Sequence, residues 1–114
     1  MSTSSALSET FEAAHRLPHV PASHKCYRIH GHSYRCELVL ASDAHRDQAE
    51  VALRAVVAKL RHRYLNELPG LENATSEHIA LWIWRALERR GVAPEAVSVA
   101  ENDGARCTYR GQTS

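Results

Sequence analysis

The sequence predicts an α+β fold in the order β-β-α-α-β-β, a four-stranded antiparallel sheet with two helices on one of its faces. Three observations carry this. Two runs near the N-terminus alternate apolar and polar residues, the period of a half-buried strand. Two central segments repeat apolar residues at helical spacing, and the C-terminal part holds two further extended runs around Asn102-Asp103-Gly104, the signal of a hairpin.

The first strand is expected over Leu7 to Ala14, ending at His15. Arg16 to Ile29, with Pro18 and Pro21, lacks periodicity, and a loop of this length in a small domain is usually functional. The second strand is expected from about His32 to Leu40, and Ser42-Asp43 breaks it. From about Asp47 the residues Ala49, Leu53, Val56, Val57, Leu60 and Tyr64 form one apolar helical stripe, which Pro69-Gly70 is expected to stop. A second helix begins near Thr75 or Ser76, either of which can cap it, with Glu77 favourably placed in its first turn. Ile79, Ile83, Ala86 and Leu87 form its inner stripe, Trp82 or Trp84 adds packing bulk, and Gly91 with Pro94 ends it. Val97 to Glu101 and Ala105 to Arg110 complete the hairpin. A lone four-stranded sheet leaves two edges unpaired, so the sheets of several subunits are expected to join into a barrel, making the protein a homo-oligomer.

The chain has 114 residues, enough for one domain over 1–114. Its formal net charge is +1, with both signs interspersed, which argues against a nucleic-acid stripe or a membrane-binding face. No signal-like N-terminal segment and no long apolar run is present, so a cytoplasmic protein is expected. Three cysteines without CxxC spacing indicate neither a disulfide framework nor a zinc ribbon. Cys36 and Cys107 fall inside expected strands and read as small core residues. Cys26 lies in the polar loop four residues before His30, where a metal or an imidazolium nearby could stabilise a thiolate.

His30-Gly31-His32 carries the chemistry. On a strand the two histidines project to the same side. If the first two strands pair, His15 joins them, and three imidazoles leave a fourth tetrahedral position open, as in a catalytic zinc site. The same spacing also fits two surface histidines flanking a glycine. Five of the eight histidines (His15, His19, His24, His30, His32) fall in this first part of the chain.

Phe11-Glu12-Ala13-Ala14-His15-Arg16-Leu17, His24-Lys25-Cys26 and the run from Cys26 through His30-Gly31-His32-Ser33-Tyr34 resemble the 6-pyruvoyltetrahydropterin synthase / 6-carboxytetrahydropterin synthase (QueD) family. The resemblance resumes at Tyr64-Leu65-Asn66, runs through Pro69 to Glu77 and returns at Glu101. The gap between Cys26 and His30 is similar to that of the 6-carboxytetrahydropterin synthase branch. The resemblance implies a tunnelling fold, trimers whose sheets form a barrel, often stacked as hexamers, and zinc held by His15, His30 and His32. It implies 7,8-dihydroneopterin triphosphate as substrate, converted to 6-carboxy-5,6,7,8-tetrahydropterin with loss of acetaldehyde and triphosphate on the way to queuosine and other 7-deazapurines. Cys26 would move protons as a thiolate, and His62 would be its partner acid or base; as a plain residue His62 would be a solvated helix histidine. Glu101 would anchor the pterin ring through paired hydrogen bonds; its plain reading is a strand-end surface carboxylate. Thr75 and Ser76 would help hold the pterin of a neighbouring subunit.

The chain departs from the family's pattern twice. Leu60-Arg61-His62 stands where the family has Leu-Asp-His, and Asp47-Gln48-Ala49-Glu50-Val51 lacks the glycine and phenylalanine of a Gly-x-x-x-Asp-Phe segment, with Glu50 a candidate for its aspartate. Arg61 is then either solvated or an anion contact. A paralogue acting on a related pterin, or a zinc- and pterin-binding protein without turnover, are the alternatives to an active synthase.

Overall fold

A computed structural model describes residues 5–101 and 106–111. β1 (Ser5–His15) and β2 (His30–Leu40) run antiparallel, with Phe11 opposite Tyr34 and His15 opposite His30. β3 (Ala96–Glu101) adds to β2, and β4 (Arg106–Tyr109) to β3, giving the antiparallel order β1-β2-β3-β4. Between β2 and β3 lie α1 (Arg46–Ala58) and α2 (Ser76–Arg89), so the element order is the expected one. The expected hairpin turn at Asn102-Asp103-Gly104, with Ala105, lies outside the described residues. No helix among the described residues is long and apolar enough to cross a membrane.

Period-two alternation sorts the sheet. Leu7, Phe11 and Ala13 of β1, Tyr34, Cys36 and Leu38 of β2 and Val97 and Val99 of β3 are buried against the helices, and Phe11 stacks on Tyr34 at 5.0 Å. Ser8, Thr10 and Glu12 of β1, with Ser33 and Arg35 of β2, point to the opposite, polar face. The helices close the core with Leu53, Val56 and Val57 of α1 and Ile79, Ile83 and Leu87 of α2.

Thr75 is the N-cap of α2: its hydroxyl accepts from the His78 N–H at 3.2 Å. The helix ends at Gly91, whose φ of +83° sits in the left-handed region open to glycine, and whose N–H reaches the Glu88 carbonyl at 3.0 Å. Trp82 and Trp84 are half-buried against the core; Trp84 meets Tyr109 edge to face at 5.1 Å. Cys36 is buried, and that burial pushes its thiol up to about 12. Cys107 is only partly buried, short of the core position expected, because β4 is a sheet edge.

Three boundaries differ from the expectation. β1 begins at Ser5 and includes His15, and β2 starts at His30 because its register with β1 continues to the His15–His30 pair. α1 ends at Ala58, well before Tyr64 and Pro69-Gly70. Leu60 keeps the apolar spacing and is fully buried, yet the backbone leaves the helix, because β1 captures it: the His62 N–H donates to the Glu12 carbonyl at 2.6 Å, the Ala14 N–H to the Arg63 carbonyl at 3.0 Å, and Tyr64 bridges Ala14 in parallel. His62 therefore is not a helix residue. Its φ is +60°, in the left-handed region that histidine enters more readily than bulky residues do. An alanine there is expected to be less stable than a glycine by about 1 kcal/mol; equal urea midpoints for His62→Ala and His62→Gly would contradict this backbone.

The same contacts close the outer edge of β1. Arg46 donates to the Ser5 hydroxyl and, at 3.1 Å, to the Ala6 carbonyl, while Arg61 Nη2 donates to the Thr10 carbonyl at 2.7 Å. With the bonds at Glu12 and Ala14, the backbone of that edge is held at Ala6, Thr10, Glu12 and Ala14.

Candidate metal and active site

The register that places His15 opposite His30, and the two-residue step to His32, brings three imidazoles together on the helix-facing side of the sheet. One ligand nitrogen from each lies within 4.8 Å of the others. The rings stand edge to face, with centroids 4.6 Å apart for His15–His30, 5.0 Å for His15–His32 and 4.8 Å for His30–His32. Tyr34 closes the inner side, its ring 5.9 Å from that of His15.

The neighbouring carbonyls set which nitrogen each ring offers. His15 Nδ1 lies 2.7 Å from the Ala74 carbonyl just before α2, and His30 Nδ1 2.7 Å from the Arg28 carbonyl. A carbonyl can only accept, so both Nδ1 atoms carry the proton and both Nε2 atoms keep a lone pair. Those two Nε2 atoms are buried and have no hydrogen-bond partner among the described residues. Each such orphan costs about 1–3 kcal/mol. A metal ion supplies what they lack, and neutral imidazoles held by carbonyls from behind are the usual ligands of zinc. The donor set fits zinc.

Burial holds the His15 imidazole below its ordinary value of 6.5; His30 and His32 add to this, and the Ala74 carbonyl opposes it. Around pH 6.5 the unfolded chain takes up a proton that the folded chain resists. The metal-free protein should therefore lose stability as pH falls from about 7.5 through 6.5 to the lowered folded value, the slope from this group fading at higher pH. Urea midpoints of chelated protein at about pH 7.5 and about pH 5.5, compared with those of His15→Gln, check this; the variant should show the shallower loss.

The other expected site residues lie around this centre unequally. Glu101, at the end of β3, puts Oε2 3.5 Å from His32 Nε2, both side chains 15% exposed, so it borders the histidines directly. Thr75 and Ser76 open α2 immediately after Ala74, whose carbonyl holds His15. Cys26 sits half-buried in a 3-10 turn (Lys25–Tyr27), its N–H bonded to His24 Nδ1 at 3.0 Å. Neither Cys26 nor His62 belongs to the cluster of three histidines. His62 lies at the outer edge of β1, where Nε2 is 4.0 Å from Glu12 Oε1. Arg61 is tied to the Thr10 carbonyl, and Glu50 pairs with Arg54 at 3.4 Å on α1. Sequence reasoning missed the two carbonyls at Arg28 and Ala74, which have no residue-type signature, and the part played by Glu12, whose strand parity alone sends it away from the core.

The family described as 6-pyruvoyl tetrahydropterin synthase matches residues 5–112 of this chain. A 6-carboxy-5,6,7,8-tetrahydropterin synthase of Synechocystis is 42% identical over 96 residues, covering 73% of each chain. A putative 6-carboxy-5,6,7,8-tetrahydropterin synthase of Archaeoglobus fulgidus is 33% identical over 104 residues, covering 85% of this chain and 86% of its own. Among solved structures, the 6-pyruvoyl tetrahydropterin synthase of Caenorhabditis elegans superposes with a TM-score of 0.83 at 21% identity over 96% of both chains, a likeness of fold.

Proposed function

The chain belongs to the 6-pyruvoyl tetrahydropterin synthase family, and from that premise we propose that it is a zinc-dependent 6-carboxy-5,6,7,8-tetrahydropterin synthase, a lyase acting on 7,8-dihydroneopterin triphosphate with release of acetaldehyde and triphosphate. The observation that carries the reading is the pair of buried, unpartnered Nε2 atoms of His15 and His30 in a cluster where each of the three rings has a ligand nitrogen within 4.8 Å of the others. Zinc held by these three rings would serve as a Lewis acid toward the oxygens of the substrate side chain. Glu101 would receive the pterin's 2-amino and N3 hydrogens, and its place beside His32 supports this, because the ring's side chain would then reach the histidines. Thr75 and Ser76, at the start of α2, would support the ring of a neighbouring subunit's substrate. Cys26 would move protons during rearrangement of the side chain, with His62 as its acid–base partner.

A homo-oligomer, a trimer or a hexamer, with active sites between subunits is part of the same proposal. It is supported by the positions of Cys26 and His62 outside the histidine cluster, which leave room for groups from a second copy to complete a site. The free thiols of Cys26, Cys36 and Cys107 fit a reducing compartment, and we place the protein in the cytoplasm on a route to 7-deazapurines such as queuosine. The left-handed backbone of His62 also supports a functional role, since such conformations in non-glycine residues gather at active sites.

Incubation of zinc-loaded protein with 7,8-dihydroneopterin triphosphate, with products identified by mass spectrometry, tests the reading. 6-Carboxytetrahydropterin and acetaldehyde are expected. Unchanged substrate with zinc still bound would overturn it in favour of a related pterin or a binding role.

A further inference from the structure

Glu12 stands between Phe11 and Ala13, which face the core, so period two turns its carboxylate to the polar face, where the side chain is 73% exposed. The chain leaving α1 returns along the outer edge of β1, and His62 meets Glu12 twice. Its N–H donates to the Glu12 carbonyl at 2.6 Å, and its Nε2 lies 4.0 Å from Glu12 Oε1. The main-chain bond holds His62 at a φ of +60°, which aims the ring back toward β1. Glu12, His32, Ser33, His62, Arg63 and Tyr64 line one cleft of about 540 Å³. Arg61, the residue before His62, is turned away onto the Thr10 carbonyl, and Glu50 is engaged by Arg54. Among the ion pairs of the described residues, the carboxylate facing His62 is that of Glu12.

We propose that Glu12 is the positioning residue of His62. Resting on the function proposed above, this assigns to Glu12 the orientation of the ring that exchanges protons with the substrate. A carboxylate opposite Nε2 favours the tautomer protonated there and leaves Nδ1 as the basic nitrogen, while the backbone bond from the same residue fixes where the ring starts. Closing the side-chain gap from 4.0 Å to hydrogen-bond distance needs only rotation of two exposed side chains.

The test uses the full-length, zinc-loaded protein with ¹⁵N-labelled histidine, the His62 ring signals being assigned by their loss in His62→Gln. In the parent, the His62 shifts should report the Nε2-protonated tautomer. In Glu12→Gln they should move toward a mixture of tautomers, and in Glu12→Asp they should stay with the parent. With 7,8-dihydroneopterin triphosphate, Glu12→Gln should lower kcat by about 10–100-fold with KM little changed, as loss of an orienting partner does, and Glu12→Asp should recover most of that loss. A parent tautomer protonated at Nδ1, or shifts identical in the parent and Glu12→Gln, would overturn the proposal, and the first of these holds even if the variant fails to fold. A parent that leaves the substrate untouched would overturn the proposed reaction instead, while the tautomer comparison still decides the pairing of Glu12 and His62.

Discussion

Alanine at His30 should empty the metal centre. Two imidazoles would remain, and two ligands do not make the three-ligand open site that zinc favours. Loss of a mere supporting partner weakens metal sites by about 10–100-fold, so loss of a ligand should exceed about a hundredfold. Zinc per chain, measured by plasma emission after gel filtration, should fall from near one to a small fraction, and turnover should drop below detection. The stability readout should split. At a zinc concentration of about 100 times Kd the parent gains about 2.7 kcal/mol that the variant does not. Without metal, His30→Ala should lose little, because the substitution removes a buried nitrogen that has no partner. Full zinc occupancy in His30→Ala, or in His32→Ala, would refute the assigned ligands.

Cys26→Ala should remove the chemistry and spare everything else. A positioned proton-transfer group contributes about 10²–10⁴-fold, and kcat should fall by that order. Cys26 is half-buried in a short turn and outside the hydrophobic core, so its replacement should change stability by no more than about 0.5 kcal/mol. Zinc content, and the affinity for an unreactive pterin measured by calorimetry, should match the parent. Parent-like turnover would strip Cys26 of its role and leave the acid–base work to His62 and residues not yet assigned.

The fold was legible where side-chain parity and burial agree. β1 and β2 alternate cleanly, α2 carries both its cap and its terminating glycine, and the two-residue step of His30 and His32 needs only a strand to become a metal clip. The end of α1 was not legible for a physical reason. Leu60 and Tyr64 keep helical spacing, and Leu60 is fully buried as a stripe residue should be, but main-chain bonds to Glu12 and Ala14 compete with the helix and win. Such bonds carry no residue-type signal. The histidine cluster could be read from the chain because side chains make it, whereas the carbonyls that set the tautomers could be any residue's. His62 was found by its resemblance and then misplaced onto a helix, because the left-handed turn that aims it is a tertiary effect. Arg61 looked like an anion contact or a solvated charge, and it turns out to be a tie to the backbone of β1.

The guanidinium ties along β1 bear on what an extended segment meets when it approaches this edge of the sheet. At Ala6 and Thr10 the outward carbonyls already hold donors from Arg46 and Arg61, so a stray extended segment cannot zip onto this strand without first displacing an arginine. These are plugs rather than walls. Side chains can swing out where a covering strand could not, so a partner offering a full ladder of backbone bonds can displace them, while an accidental contact offering one or two gains too little to do so. The cations also repel a second copy presenting the same edge. The edge thus discriminates by the length of the match, guarding against clumping without being sealed off.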